Sequence, residues 1–207
     1  ERLDEQAYPR AARTGSELSP KALGAEVTRT TGVRAVEGPL VYADGPSGDF
    51  YLSASLSSAE RAKALAALVA LVRGHPQVAA AFTAKELAEA PLPTGSPQEW
   101  SLKDRARASF DARRSGDVVV LLDRAVVPIT DPRPGYTAGH GSPWDYDRRV
   151  PMLFWRKGLP GMEQPAPVET VDIAPTLAAL LRLPVNEGMF DGRCLDIDGS
   201  GGNICAR

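Results

Sequence analysis

Long apolar runs, blocks of like charge, internal repeats and an initiating methionine are all missing from this 207-residue sequence, and histidine and cysteine occur only twice each. The longest apolar run, Ala64 to Val72, falls well short of the roughly 20 residues that a membrane-spanning helix needs. Without a charge block, a net charge of −2 gives no reason to expect a nucleic-acid partner. The chain opens on Glu1-Arg2-Leu3-Asp4 with no signal peptide, so the expectation is that an N-terminal portion is missing. What the sequence does have is 43% apolar residues, enough for a sizeable core and too many for a disordered chain. Its length suits one large domain or a piece of a bigger one.

Local patterns divide the chain into strands and helices. Residues 1–20 are charged and read as a short helix followed by a loop, and Glu26 to Thr31 as a short strand stopping at Gly32. Pro39–Ala43 and Asp49–Ser53 form a predicted hairpin across the turn residues 44–48. Ser57 or Ser58 caps a helix with Glu60 in its first turn, and Leu65, Leu68, Leu71 and Val72 recur on one face. Arg73, Gly74 and Pro76 end it, which puts His75 in a solvated turn with no acidic or sulfur neighbour in sequence. Gln77–Thr83 reads as a strand, Ala84–Ala90 as a short helix and Pro91–Pro97 as a linker too rich in proline for either. Ser101–Phe110 reads as a helix whose Arg105 and Arg107 either bind phosphate or, more simply, form a solvated face.

Asp117–Leu122 and Val150–Trp155 are continuous apolar runs, the pattern of strands buried on both faces. Asp172 is placed to cap a helix through Leu181, with Pro175 in the first turn and Arg182 and Pro184 beyond its end. Strands alternating with helices favour a layered α/β fold.

The chemically informative stretch is Thr137–Trp155. Gly139 and Gly141 flank His140, so the backbone on both sides can turn sharply or approach another atom closely. A neutral imidazole held this way is a good ligand for zinc or a similar divalent ion, although a histidine in a tight turn needs no metal at all. Asp145 and Asp147, beside Arg148 and Arg149, read as loop-fixing ion pairs rather than ligands.

The stretch Ala138–Asp147, with Arg149-Val150-Pro151 and Thr170–Leu177, resembles the C-terminal third of periplasmic alkaline phosphatases of the monoesterase branch that use a threonine nucleophile. Arg114–Val120 and Asp191–Asp196 are similar to the same family and follow in the same order. The resemblance implies an alkaline-phosphatase-like α/β/α fold of which residues 1–207 are the C-terminal portion of a single domain, with 25–115 including an inserted or peripheral subregion. It also implies a two-zinc phosphomonoesterase site in which His140 completes one ligand set. The substrates would be small phosphate esters, the location periplasmic or secreted, and the necessary partner the remainder of the parent chain. The family's nucleophile and its other metal ligands would lie upstream of Glu1.

Two-metal phosphoryl chemistry needs one ion at the attacking oxygen and one at the leaving oxygen. One histidine supplies neither alone, so residues 1–207 by themselves are expected to be inactive and to expose apolar edges at Val118–Leu122 and Val150–Trp155. The periplasmic setting implied by the resemblance further predicts a Cys194–Cys205 disulfide across the glycine-rich 198–202 segment. Two other readings stay open: a phosphodiesterase or sulfatase of the same superfamily, and a non-catalytic domain using the loop only for packing.

Overall fold

The computed structural model describes residues 12–129, 139–159, 161–186, 188–199 and 202–206. The described residues fall into two compact units, one drawn from Glu1–Pro93 and Trp100–Arg149, the other from Thr94–Glu99 and Val150–Arg207.

The first unit carries the mixed α/β framework. After a two-residue strand β1 (Ala12–Arg13), helix α1 runs from Pro20 to Thr31, replacing the strand expected at 26–31. Its local signals outvote the β-branched residues. Ser19 caps the N-terminus by accepting from the Ala22 N–H at 3.3 Å, Pro20 sits where no N–H is needed, and the Gly32 N–H closes the last turn on Thr28. Thr30 and Thr31, the residues that look strand-like, donate their hydroxyls back to the Glu26 and Val27 carbonyls at 2.9 and 2.6 Å. Residues 1–11 of the helix expected at the start lie outside the described residues; Ser16–Leu18 form a single 3-10 turn that buries Leu18.

The hairpin is present as β2 (Val41–Tyr42) and β3 (Gly48–Leu52). Helix α2 (Ser58–Arg73) begins at Ser57, whose side chain and Glu60 form a reciprocal capping box. Strand β4 (Val78–Thr83) leads into α3 (Ala84–Ala88); α4 (Leu102–Ala108), capped by Ser101, precedes β5 (Val118–Leu122) and the short β6 (Val126–Val127). The sheet order is β2-β3-β5-β4, antiparallel throughout, and β1 pairs with β6 in parallel as a separate ribbon.

Strand β5 is therefore central, not an exposed edge, because β3 and β4 bond to its two sides. Val118, Val120 and Leu122 face the core while Val119 and Leu121 are half-buried, so one face is sealed and the other only partly covered. The sealed face packs with Phe50 of β3, Val27 of α1, and Ala64, Leu68 and Val72 of α2, all at most 1% exposed apart from Leu122 at 5%. Just before β5, the Asp117 carboxylate accepts from the Leu52 N–H at 2.7 Å and from Arg61 of α2 at 2.8 Å, tying helix to sheet.

The second unit has one short helix of note, α6 (Ile173–Leu180). Val150–Trp155, expected as a buried strand, forms no strand: Val150, Leu153 and Trp155 are 67%, 89% and 88% exposed. An extended apolar segment becomes a strand only when another strand takes up its N–H and C=O groups, and the described residues offer none. Asp172 also departs from expectation. It makes no side-chain cap on α6; buried at 1% exposure, it accepts from the Glu169 N–H at 3.0 Å and the Arg193 N–H at 2.9 Å. The Thr176 hydroxyl, fully buried, donates to the Asp172 carbonyl at 2.6 Å and accepts from the Leu195 N–H at 2.9 Å. These two side chains clip the 191–196 segment onto the start of α6. Gly192 is required there: a Cβ on it would meet the Val171 carbonyl oxygen and carbon and the Asp172 nitrogen at 2.1, 2.3 and 2.7 Å, all backbone atoms. Cys194 and Cys205 are joined in a disulfide, with their Cα atoms 5.7 Å apart.

Candidate functional site

The residues that follow His140 are tied down from Ser142 to Tyr146. Gly141 has φ of +93°, a conformation that favours glycine, and a Cβ there would meet nothing within 4 Å. The next residue, Ser142, donates its N–H to Asp147 at 2.6 Å. The Pro143 carbonyl accepts from Arg105 at 2.7 Å. Trp144 donates its indole N–H to the carbonyl of Leu122, the last residue of β5, at 3.0 Å, and Arg124 lies over its ring at 6.0 Å. A single helical turn, α5 (Asp145–Arg148), follows, and the Tyr146 hydroxyl accepts from the Ala125 N–H at 3.0 Å.

Asp145 and Asp147 fix the loop, though by different means. Asp145 pairs with Arg148 at 2.9 Å and with Arg105 at 3.3 Å. Partial burial raises its pKa, but Arg148, Arg105 and Arg149 outweigh that, and the carboxyl titrates below its ordinary value. Asp147 acts through the Ser142 N–H rather than through an ion pair. The neighbouring arginines made the Asp145 ion pairs legible, whereas the ion pair expected for Asp147 is replaced by this backbone contact.

Arg105 and Arg107 were not legible from sequence. The solvated face expected for them is absent: Arg105 keeps only 15% of its side chain exposed, and Arg107 donates to the Ala90 carbonyl at 2.9 Å. Burial depresses the Arg105 pKa and the neighbouring Arg148 adds to the effect, with Asp145 opposing both. Partners 38 and 40 positions away leave no mark in the local pattern of α4. His75 likewise leaves its expected solvated turn. Its ring is 13% exposed, with Nε2 3.1 Å from Glu17 and Nδ1 accepting from the Gln77 N–H at 3.2 Å. It is a structural residue.

His140 itself is exposed, and among the described residues it has no hydrogen-bond or ion-pair partner. As a donor set this is incomplete. Among the described residues no group of three or more His, Cys, Asp or Glu side chains gathers as a metal site would require. One free imidazole fits a metal centre as a single ligand completed from elsewhere, and as nothing more. An open groove of about 1180 Å³ between α1 and β2 is lined by residues such as Lys21, Arg34 and Tyr42 and by none of the loop 139–149.

The arrangement of sheet, helices and pinned loop is the fold of the alkaline phosphatases. Solved alkaline phosphatase PafA superposes with a TM-score of 0.66 over 87% of this chain and 32% of that one, at 18% identity. The chain belongs to the alkaline phosphatase family. It is 46% identical over 207 residues to alkaline phosphatase PhoK of a Sphingomonas species and 52% identical over 167 residues to alkaline phosphatase PhoD of Zymomonas mobilis. It spans 37% and 29% of the length of those two relatives. No family model matches the sequence.

Proposed function

We propose that this chain is the C-terminal portion of a zinc-dependent phosphatase that hydrolyses phosphate monoesters outside the cytoplasm, with His140 as one of its metal ligands. The observation that carries the reading is the relationship to alkaline phosphatase PhoK, which runs through all 207 residues, the His140 loop included. The loop geometry supports it: an imidazole without a partner among the described residues is presented from a segment anchored by the side chains of Trp144, Asp145, Tyr146 and Asp147. Zinc, when bound, would polarise a phosphoryl oxygen and stabilise developing charge. The chain's own part is to present His140 from a loop that cannot drift, on the far side of a fixed strand end.

On this reading residues 1–207 are part of a single domain, 25–115 include an inserted or peripheral subregion, and the remaining ligands and the nucleophile come from the rest of the parent chain. Exposure of Val150, Leu153 and Trp155 fits a segment that completes its sheet against that remainder. The disulfide fits an oxidising compartment. The test is the complete gene product carrying His140→Ala, assayed for zinc per folded molecule and for hydrolysis of an aryl phosphate. Loss of zinc and turnover with little change in melting temperature is expected. Full zinc and near-parental turnover refute the ligand assignment. Residues 1–207 alone should not hydrolyse the same substrate.

A further inference from the structure

The guanidinium of Arg105 is the one tether of the histidine loop that comes from helix α4, and it makes two contacts at once. Nη1 donates to the Pro143 carbonyl at 2.7 Å, three residues from His140, while Nη2 lies 3.3 Å from Asp145 at the start of α5. With 15% of the side chain exposed, most of a permanent charge has been taken out of water at this joint. Burying a guanidinium in an ion pair returns little stability, because desolvation offsets most of the attraction. Arg148 already neutralises Asp145 from the neighbouring position at 2.9 Å, so Arg105 is not needed to balance that charge. What the second arginine adds is geometry: a planar fork that holds a carbonyl before α5 and a carboxylate within it at a fixed spacing.

We propose that Arg105 is a positioning residue for the metal centre: it sets where the His140 loop sits relative to α4, and so where the imidazole is presented. This rests on the assignment of His140 as a metal ligand. Ser142 Oγ and Arg105 Nε are buried without a hydrogen-bond partner among the described residues, so the joint between loop and helix is held by the two Arg105 contacts and not by a saturated network. Trp144 fixes the far side of the same turn to the end of β5. With both tethers in place the loop has one register; without Arg105 it can swing about Trp144.

The test compares Arg105→Lys, Asp145→Asn, Arg107→Lys and His140→Ala in the complete gene product loaded with zinc, following zinc release to a chromophoric chelator and the melting temperature. Lysine keeps the charge but cannot make both contacts, so Arg105→Lys should release zinc about tenfold faster, the lower range for loss of a residue that orients a ligand. Its melting temperature should stay near that of Arg107→Lys, which alters a backbone contact on the same helix and should release zinc at the parental rate. Asp145→Asn, which removes the charge from one of the two acceptors while keeping an oxygen there, should shift release in the same direction by less, and it reads the joint even if Arg105→Lys does not fold. Parental release rates in both Arg105→Lys and Asp145→Asn, with zinc lost from His140→Ala, overturn the positioning role and leave the ligand assignment standing. Full zinc in His140→Ala overturns both.

Discussion

The sheet unit and the second unit differ in what they put out of water. In the first, the sealed residues are Phe50, Leu68, Val118, Val120 and their neighbours, one continuous apolar cluster between β3, β5, α1 and α2. In the second, the buried set among the described residues is Asp172, Pro175, Thr176 and Ala178, while Leu177, Leu181, Leu183 and Met189 stay exposed. Apolar burial supplies stability roughly in proportion to area and tolerates small shifts of position. A buried carboxylate and hydroxyl supply little net energy, yet they fix the chain closely, because each lost partner leaves a desolvated group behind. One unit is built to be stable and the other to be placed.

Four perturbations sharpen or break that contrast. Phe50→Ala should have the largest effect. A fully buried aromatic is lost from the middle of the apolar cluster, at a cost of about 3–5 kcal/mol, and the urea midpoint of the sheet unit should fall accordingly. An unfolding free energy within about 1 kcal/mol of the parent would mean that the cluster is not the source of that unit's stability.

Next comes the disulfide, which closes an 11-residue separation. Removing it with Cys194→Ser and Cys205→Ser should cost up to about 3 kcal/mol in the chain-entropy account, confined to the second unit. Hydrogen exchange should show faster opening around 191–206 and unchanged protection in β5; equal loosening in both units would contradict the division. Asp172→Asn follows at about 1–3 kcal/mol, since an amide oxygen replaces only one of the two acceptor oxygens that serve Glu169 and Arg193. The expected sign is selective proteolysis near Arg193 with the sheet intact.

The smallest effect is electrostatic. Glu86 bonds to Arg73 and to the Thr83 N–H, which together hold its pKa at about 2 against an ordinary 4.5. Its folded value is the depressed one, so its contribution is complete above 4.5 and is lost as pH falls from there toward about 2. The Glu86 side chain is 41% exposed, so solvent screening keeps the term below about 1 kcal/mol. The stability difference between parent and Glu86→Gln should be constant at neutral pH and shrink across that acid window. A difference that grows on acidification has the wrong sign.

The sequence announced elements whose signals are local and missed those decided elsewhere. Ser57 and Glu60 sit three positions apart, so the start of α2 was readable without knowing what it packs against. Val27 and the threonines of α1 point to a strand by composition, but Ser19, Pro20 and Gly32 decide the outcome from the ends. Val150–Trp155 carries a strand's composition without a strand's partner. At the site, His140 and its glycines were visible, and so was the bracing role of Asp145. The inward turn of Arg105 was not, because nothing in α4 records a carbonyl 38 positions away. His75 was misplaced for the same reason: its partner Glu17 lies 58 positions back.

The division of the chain also sets how the protein can be dissected. Because Thr94–Glu99 belongs with the later unit, the polypeptide passes between units three times, near 93, 99 and 149. A truncation ending at Arg149 therefore does not isolate the sheet unit cleanly, since it strands a six-residue insert whose companions have been removed. A faithful excision needs two edits, a stop after Arg149 and a short bridge from Pro93 to Trp100. The same topology means that a single protease cut near Val150 frees one end of the later unit while its 94–99 segment stays covalently held.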